Sequence, residues 1–266
     1  MKSIRKQDIP PTTKSHSFAD TVRHIVFVCL TVSVLYLCIG LLSGRTDLPI
    51  FNSVEKASDI TLMLLECTMG IIAIQVPMVV GKWLKMELPD ALCMLYNGFL
   101  FCSIFLGEVF SFYYRIPHWD DVLHCTSSLM TGMFGCLLAA KLTSDQQGRM
   151  HLTPMMAALS ALCVSVTIGA LWEIYEFSFD SLLGLNMQKF LLQDGTALVG
   201  QAALLDTMKD VIVDACGAIA AAVMAYRSIK LERGWLYAAA FGDAATEETN
   251  GEFGSCGKNV PSQAEI

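Results

Sequence analysis

Apolar positions in this chain fall into long unbroken runs, not into the alternating or one-faced patterns of a water-soluble domain. Six runs reach or approach the roughly 20 residues that a helix needs to cross a hydrocarbon core. They are about Ile25–Ser43, Ile60–Gly81, Ala91–Tyr114, Val122–Leu142, Pro154–Phe179 and Thr207–Tyr226. The last is the weakest, because Lys209, Asp210 and Asp214 interrupt it. The pattern predicts an all-α fold, a polytopic bundle of six transmembrane helices over 24–226. A flexible basic arm (1–23, broken by Pro10 and Pro11) precedes it, and a largely disordered acidic tail (227–266) follows. Pro77 and Gly107 are predicted kinks in the second and third spans. Between the fifth and sixth spans, Leu182, Leu183, Leu185, Met187, Phe190, Leu191 and Leu192 predict a short amphipathic helix lying on the membrane surface. The first run is long for a signal peptide and ends without a small-x-small cleavage pattern, so it reads as a retained helix.

Composition sharpens this picture. Apolar residues make up 54% of the 266 positions and charged residues only 16%, against roughly 25% charged in soluble domains. The chain is therefore neither disordered nor a nucleic-acid-binding protein, and its expected neighbours are membrane lipids. Of the net charge of −7, −4 falls in residues 243–266, where Asp243, Glu247, Glu248, Glu252 and Glu265 face a single Lys258. Nine of the ten cysteines lie inside apolar runs with no CxxC pair, which predicts small packing residues and not a disulfide framework. Thirteen of the eighteen Lys and Arg fall on one side of the six-span topology. By the excess of basic residues in cytoplasmic segments, that side is the cytoplasm, with both termini inside. Whether the chain self-associates as a homo-oligomer is left open.

The chemistry lies in the acids. Placed by depth at about 1.5 Å per residue, every acid within a span falls in its outer half: Glu66, Glu108, Glu173, Glu176, Asp210 and Asp214. His124 sits one turn below Asp120 and Asp121, with His118 just before them. Residues three or four apart share a helix face, so Asp120 with His124, Glu173 with Glu176, and Asp206 with Asp210 and Asp214 form polar stripes on the last three helices. Gly132, Gly135, Gly169 and Gly217 would let those helices approach closely.

One acid at the centre of a membrane helix costs roughly 2.5–3.5 kcal/mol on insertion scales, so the group needs a shared compensation. Three remain open. A divalent cation could be bound by Asp120, His124, Glu173, Glu176, Asp210 and Asp214: His with carboxylates suits zinc, manganese or iron, and an all-oxygen set suits magnesium or calcium. The carboxyls could instead share protons, making Glu173, Glu176 and Asp210 acid/base groups. Or they could pair with Arg115 and Lys209 and merely fix helix register. Asp121, His118, Glu66, Glu108 and Asp206 complete the polar set. Ser127, Ser128 and Thr131 are read as hydroxyls bonding the preceding turn of their own helix. Trp119, Tyr113, Tyr114, Trp172 and Tyr175 are read as an interfacial aromatic belt. No phosphate loop, HExxH, GxSxG or dinucleotide fingerprint is present.

The stretch His118-Trp119-Asp120-Asp121-Val122-Leu123-His124, then Glu173-x-x-Glu176, then Asp206-Thr207-Met208-Lys209-Asp210 with Gly217-Ala218 beyond, resembles the YjdF-type family of bacterial inner-membrane proteins over about residues 90–226. Asp121 stands where that family has Lys, and Ala202 and Ala203 occupy the stretch where it has a further acid. The order Asp-x-x-x-His, Glu and a final Asp before Gly is also similar, by spacing, to VanZ-type membrane proteins, which are linked to glycopeptide resistance. The resemblance implies a polytopic helical fold in the bacterial cytoplasmic membrane, and no activity follows from it. The residues themselves point to a His/carboxylate pocket on the extracytoplasmic side. A metal-dependent enzyme acting on a lipid-linked or envelope substrate is the leading reading, with a proton- or cation-coupled transporter and a scaffold for a partner as alternatives.

Overall fold

A computed structural model of the chain describes residues 18–43, 57–86, 88–143, 152–192, 195–232 and 236. Most of the arm and of the tail lies outside the described residues. The described chain is helical, and its only β feature is an isolated bridge between Leu191 and Ala197. Among the described residues, five helical segments are long and apolar enough to cross a membrane: Phe18–Leu42, Ile60–Leu84, Asp90–Val109, Trp119–Leu142 and Pro154–Leu183. A sixth long helix, Gln201–Lys230, has 30 residues. The chain forms two compact units, Met1–Phe112 and Tyr113–Ile266.

In the first unit, α1 (Phe18–Leu42) begins inside the expected arm, where Arg23 pairs with Asp20 one turn back at 3.1 Å. Val26, Leu30 and Leu37 of α1 are buried against Ile60, Met63 and Cys67 of α2 (Ala57–Ala73). Its opposite face carries Ile25, Val28, Val32, Leu35 and Ile39, all more than half exposed. A helix that is apolar all round has lipid on its outer side. The second span is divided into α2 and α3 (Val76–Leu84), with Ile74 and Gln75 in a turn between them. The expected kink at Pro77 is this break, because proline cannot donate to the carbonyl four residues back. That carbonyl belongs to Ala73, and the Tyr96 hydroxyl of α4 (Asp90–Leu100) donates to it at 2.8 Å. Proline's lost bond is thereby replaced from a neighbouring helix. The third span is also not uniform: α4 runs into a π-helical segment, Phe101–Val109, that contains Gly107 and Glu108. Its wider register sets the Phe105 ring against Phe110, five residues on, with centroids 5.1 Å apart.

A single turn, α5 (Phe112–Arg115), starts at the last residue of the first unit, and the second unit consists mainly of three long helices, α6 (Trp119–Leu142), α7 (Pro154–Leu183) and α8 (Gln201–Lys230), each packed on the other two. Small residues make this possible. A Cβ at Gly217 would lie 2.7 Å from the Cys125 carbonyl oxygen, and one at Gly135 would lie 2.7 Å from that of Ser160. Gly132 faces Ala221 too closely for any side chain, and Ala157, Ala161, Ala218 and Ala225 are fully buried beside them. Among the nine cysteines described, none is in a disulfide; Cys67 and Cys136 are buried, whereas Cys125, Cys163 and Cys216 are exposed.

Two boundaries shift in ways that matter. α7 continues past the expected Phe179 to Leu183, where Gly184 caps it in the left-handed conformation (φ 68°), so Asp180 belongs to its last turn. α8 begins at Gln201, which places Asp206 on it, and ends at Lys230 instead of Tyr226. The amphipathic helix expected through Leu192 does not form. Leu182 and Leu183 close α7, and the Asp180 carboxylate accepts from the backbone N–H of Met187 (2.8 Å) and of Gln188 (2.9 Å). The Asn186 side chain bridges to both backbone groups of Leu191. These bonds take the donors and acceptors that a helix would have needed.

Gly217→Ala is expected to destabilise the second unit by about 1–3 kcal/mol, the usual cost of overpacking, because its obstacle is backbone. Gly98→Ala, in α4 with nothing within 4 Å of the new Cβ, is expected to be neutral or stabilising by up to about 1 kcal/mol. Thermal unfolding of the two variants in one detergent compares them.

Candidate functional site

The polar stripes of α6, α7 and α8 converge at one end of the three-helix unit. His124 is buried on α6 and has carboxylates at both nitrogens. Its Nδ1 lies 3.3 Å from Asp214 Oδ1, and its Nε2 lies 3.7 Å from Asp120 Oδ1 and 3.9 Å from Asp210 Oδ2. Only the first is within hydrogen-bond range. Asp214 is fixed from elsewhere as well: the Ser128 hydroxyl donates to the same oxygen at 2.8 Å, and Gly169 of α7 presses so closely that a Cβ there would collide with the carboxylate. The expected back-bonding therefore holds for Ser127 and Thr131, whose hydroxyls donate to His124 and Ser127 carbonyls, but not for Ser128. Ser165 continues the network, donating to the Ser128 carbonyl at 2.7 Å, and Thr131 reaches Ser165 at 3.4 Å.

Asp120, His124 and Asp210 each offer one donor atom, and these atoms lie within 4.8 Å of one another. Asp210 is 1% exposed and its Oδ1 has no partner. On α7, Glu173 is 6% exposed and neither oxygen has a hydrogen bond of good geometry, the Thr207 hydroxyl being the side-chain donor that approaches it. Glu173 is also within electrostatic reach of His124. Glu176 is buried and accepts from Trp172 Nε1 at 2.9 Å. The expected aromatic belt thus supplies a hydrogen bond to the site, with Trp172 stacked on Tyr175 at 5.1 Å.

Part of the negative charge is neutralised by lysines. Lys189, in the α7–α8 connection and itself left-handed (φ 50°), bonds Asp120 and, at 3.3 Å, Asp206. Burial works against its ammonium, but the charges of Asp120 and Asp206 outweigh it and hold the Lys189 pKa above the usual lysine range. Lys209 pairs with Asp121 at 2.6 Å, and exposed His118 meets the same carboxylate at 2.7 Å. Asp121 and His118 therefore form a separate rim pair. Glu66 and Glu108 lie in the first unit, both within electrostatic reach of Cys67.

Sequence reasoning misses three contributors to the site. Asp180 lies beyond the expected end of the fifth span, though its spacing of seven from Glu173 puts it on the same helix face. Lys189 falls within the expected surface helix; its signal is that it is the one charged residue between Asp180 and Asp194. Ser128, four residues after His124, is legible as sharing its face but not as bonding across to Asp214.

The family described as "Predicted membrane protein (DUF2238)" matches residues 46–230, a stretch that holds every residue named in this site. An uncharacterised protein of Thermotoga maritima is 30% identical over 152 residues, which is 57% of this chain and 70% of the relative. No solved structure matches.

Lys189→Met leaves Asp120 and Asp206 without their shared counter-charge. A loss of about 1–3 kcal/mol is expected, less than for a fully buried pair because a third of the side chain is exposed. A lysine raised above its unfolded value of about 10.4 contributes fully below that pH and loses its contribution only as pH climbs through the folded value. The loss should therefore be constant between about pH 6 and 9 in unfolding measurements, and absent in the exposed control Arg115→Met.

Proposed function

This chain belongs to the membrane-protein family DUF2238, and from that premise we propose that it is a divalent-metal-dependent enzyme acting on a lipid-linked or envelope substrate. It is an integral, multi-pass membrane protein. Its proposed setting is the bacterial cytoplasmic membrane with the site on the extracytoplasmic face, as the distribution of basic residues argues.

One observation carries the reading. His124 Nε2, Asp120 and Asp210 face one another at separations too long for hydrogen bonds, with donor atoms within 4.8 Å. A metal with bonds of about 2.0–2.2 Å would need its ligand atoms about 3–3.5 Å apart, so each of these side chains would have to close by less than about 1 Å. The mixed nitrogen and oxygen set suits zinc, manganese or iron better than magnesium. Asp214 then acts as the orienting carboxylate on Nδ1, itself held by Ser128, the arrangement that fixes the tautomer of a metal-binding histidine. In this assignment Asp214 is not a ligand. A bound ion supplies Lewis acidity and a nucleophile at neutral pH. Glu173, buried and without a hydrogen bond, is the proposed general base, and Glu176 is held away from that role by Trp172.

A second reading has its own support. The hydroxyl chain Ser128–Ser165–Thr131 runs inward from His124 and suits a proton- or cation-coupled transporter. Among the described residues no acid lies beyond Thr131 on α6 or beyond Asp214 on α8, which favours a closed pocket.

Elemental mass spectrometry of the detergent-purified protein, after incubation with zinc or manganese and desalting, is expected to find about one ion per chain. His124→Ala should lose it, and Asp214→Asn should weaken it about 10–100-fold, the usual effect of removing an outer partner. Negligible metal in the parent protein overturns the enzyme reading, and proton flux in vesicles that is abolished by Ser165→Ala would put the transporter in its place.

A further inference from the structure

Beside the metal-competent group, α7, α8 and the connection between them enclose an open cleft of about 590 Å³, within the range of ligand pockets. We propose that this cleft holds one chain and the head of an amphiphile whose head presents hydrogen-bond donors, an ammonium or hydroxyls, and that it rejects a phosphate head. The inference deepens the enzyme reading by naming its substrate class, and rests on that reading for treating the occupant as substrate.

Charge is the first argument. Among the described residues, the ionisable ones lining the cleft are Glu173 and Asp180, with no Lys, Arg or His. Asp180 is spent on two backbone N–H groups, so Glu173 is the group left to recognise a ligand. It is buried with both oxygens unpartnered, an arrangement that is costly unless a donor completes it. Gln188 offers no substitute, since its amide donates to the Thr207 hydroxyl at 2.8 Å. The two nearby lysines are held by Asp120, Asp206 and Asp121. A phosphate entering here would meet a bare carboxylate with no cation released to offset it, which is a discriminating repulsion. An ammonium or hydroxyl supplies what Glu173 lacks.

The walls are the second argument. Ile174, Phe177 and Leu204 line the cleft and are each more than half exposed on the outer surface of their helices. Ile174 and Phe177 belong to α7, which is long and apolar enough to cross a membrane, so along that wall the cleft opens to lipid and an alkyl chain can enter without leaving the bilayer.

The test measures binding to the full-length protein in a neutral detergent, using dodecylamine, monododecanoyl glycerol and dodecyl phosphate as probes of equal chain length. Amine and glycerol ester are expected to bind, and the phosphate at least tenfold more weakly. Glu173→Gln should remove most of the amine's advantage, by tenfold or more, while retaining the glycerol ester. Phe177→Ala, at an exposed position, should weaken all three and guards against a Glu173 variant that fails to fold. Phosphate binding as tight as amine binding, or a head preference unchanged in Glu173→Gln, overturns the inference. The same samples carry the metal measurement: metal present without head preference sinks the cleft proposal alone, and head preference without metal sinks the enzyme reading while the cleft stands as a lipid site.

Discussion

The absence of a side chain at Gly169 sets the geometry on which the second unit depends. Because α7 has only a hydrogen there, the Asp214 carboxylate of α8 can lie directly against its backbone, and from that position it reaches both Ser128 and His124 of α6. One carboxylate therefore ties three helices together at the level of the site. The other close approaches, Gly217 to the Cys125 carbonyl and Gly132 to Ala221, repeat the same device deeper in the bundle. In lipid, where apolar side chains gain little by leaving one neighbour for another, such close packing and polar bonds are the available means of association. The residues that concentrate negative charge are thus also the ones that hold the unit together.

That charge is distributed unevenly over its compensations. Lys189 and Lys209 neutralise the outer acids, Asp120, Asp206 and Asp121. Hydrogen bonds from Ser128 and Trp172 satisfy one oxygen each of Asp214 and Glu176. Glu173 and one oxygen of Asp210 receive neither. A purely structural cluster would be expected to satisfy its deepest members first, since those are the most expensive to leave bare. Here Asp214, Glu176 and Asp180 are satisfied although buried, whereas Glu173 and one oxygen of Asp210, equally buried, are not.

The helices are legible in the sequence because an apolar run of about twenty residues suits little besides a membrane-crossing helix. The stripes Asp120–His124, Glu173–Glu176 and Asp206–Asp210–Asp214 are legible from helical periodicity alone. Local pattern also locates the break near Pro77, though not the Tyr96 hydroxyl that compensates it, because that partner comes from another helix. What cannot be read depends on tertiary direction. The segment after Leu183 has the composition of a surface helix, but Asp180 reaches forward to capture its backbone, and this bond outweighs local preference. The π-helical stretch around Gly107 likewise has no periodic signature that separates it from an ordinary helix.

Asp180 also gives the connection a measured length. Its carboxylate pins the backbone at Met187 and Gln188, immediately before the lysine whose ammonium joins Asp120 to Asp206. The last turn of α7 is thereby joined, through the pinned backbone, to the position that the Lys189 ammonium takes between Asp120 of α6 and Asp206 of α8. The spacing between Asp180 and Lys189 is for this reason a mechanical quantity, set by the reach from one helix to the acids of two others.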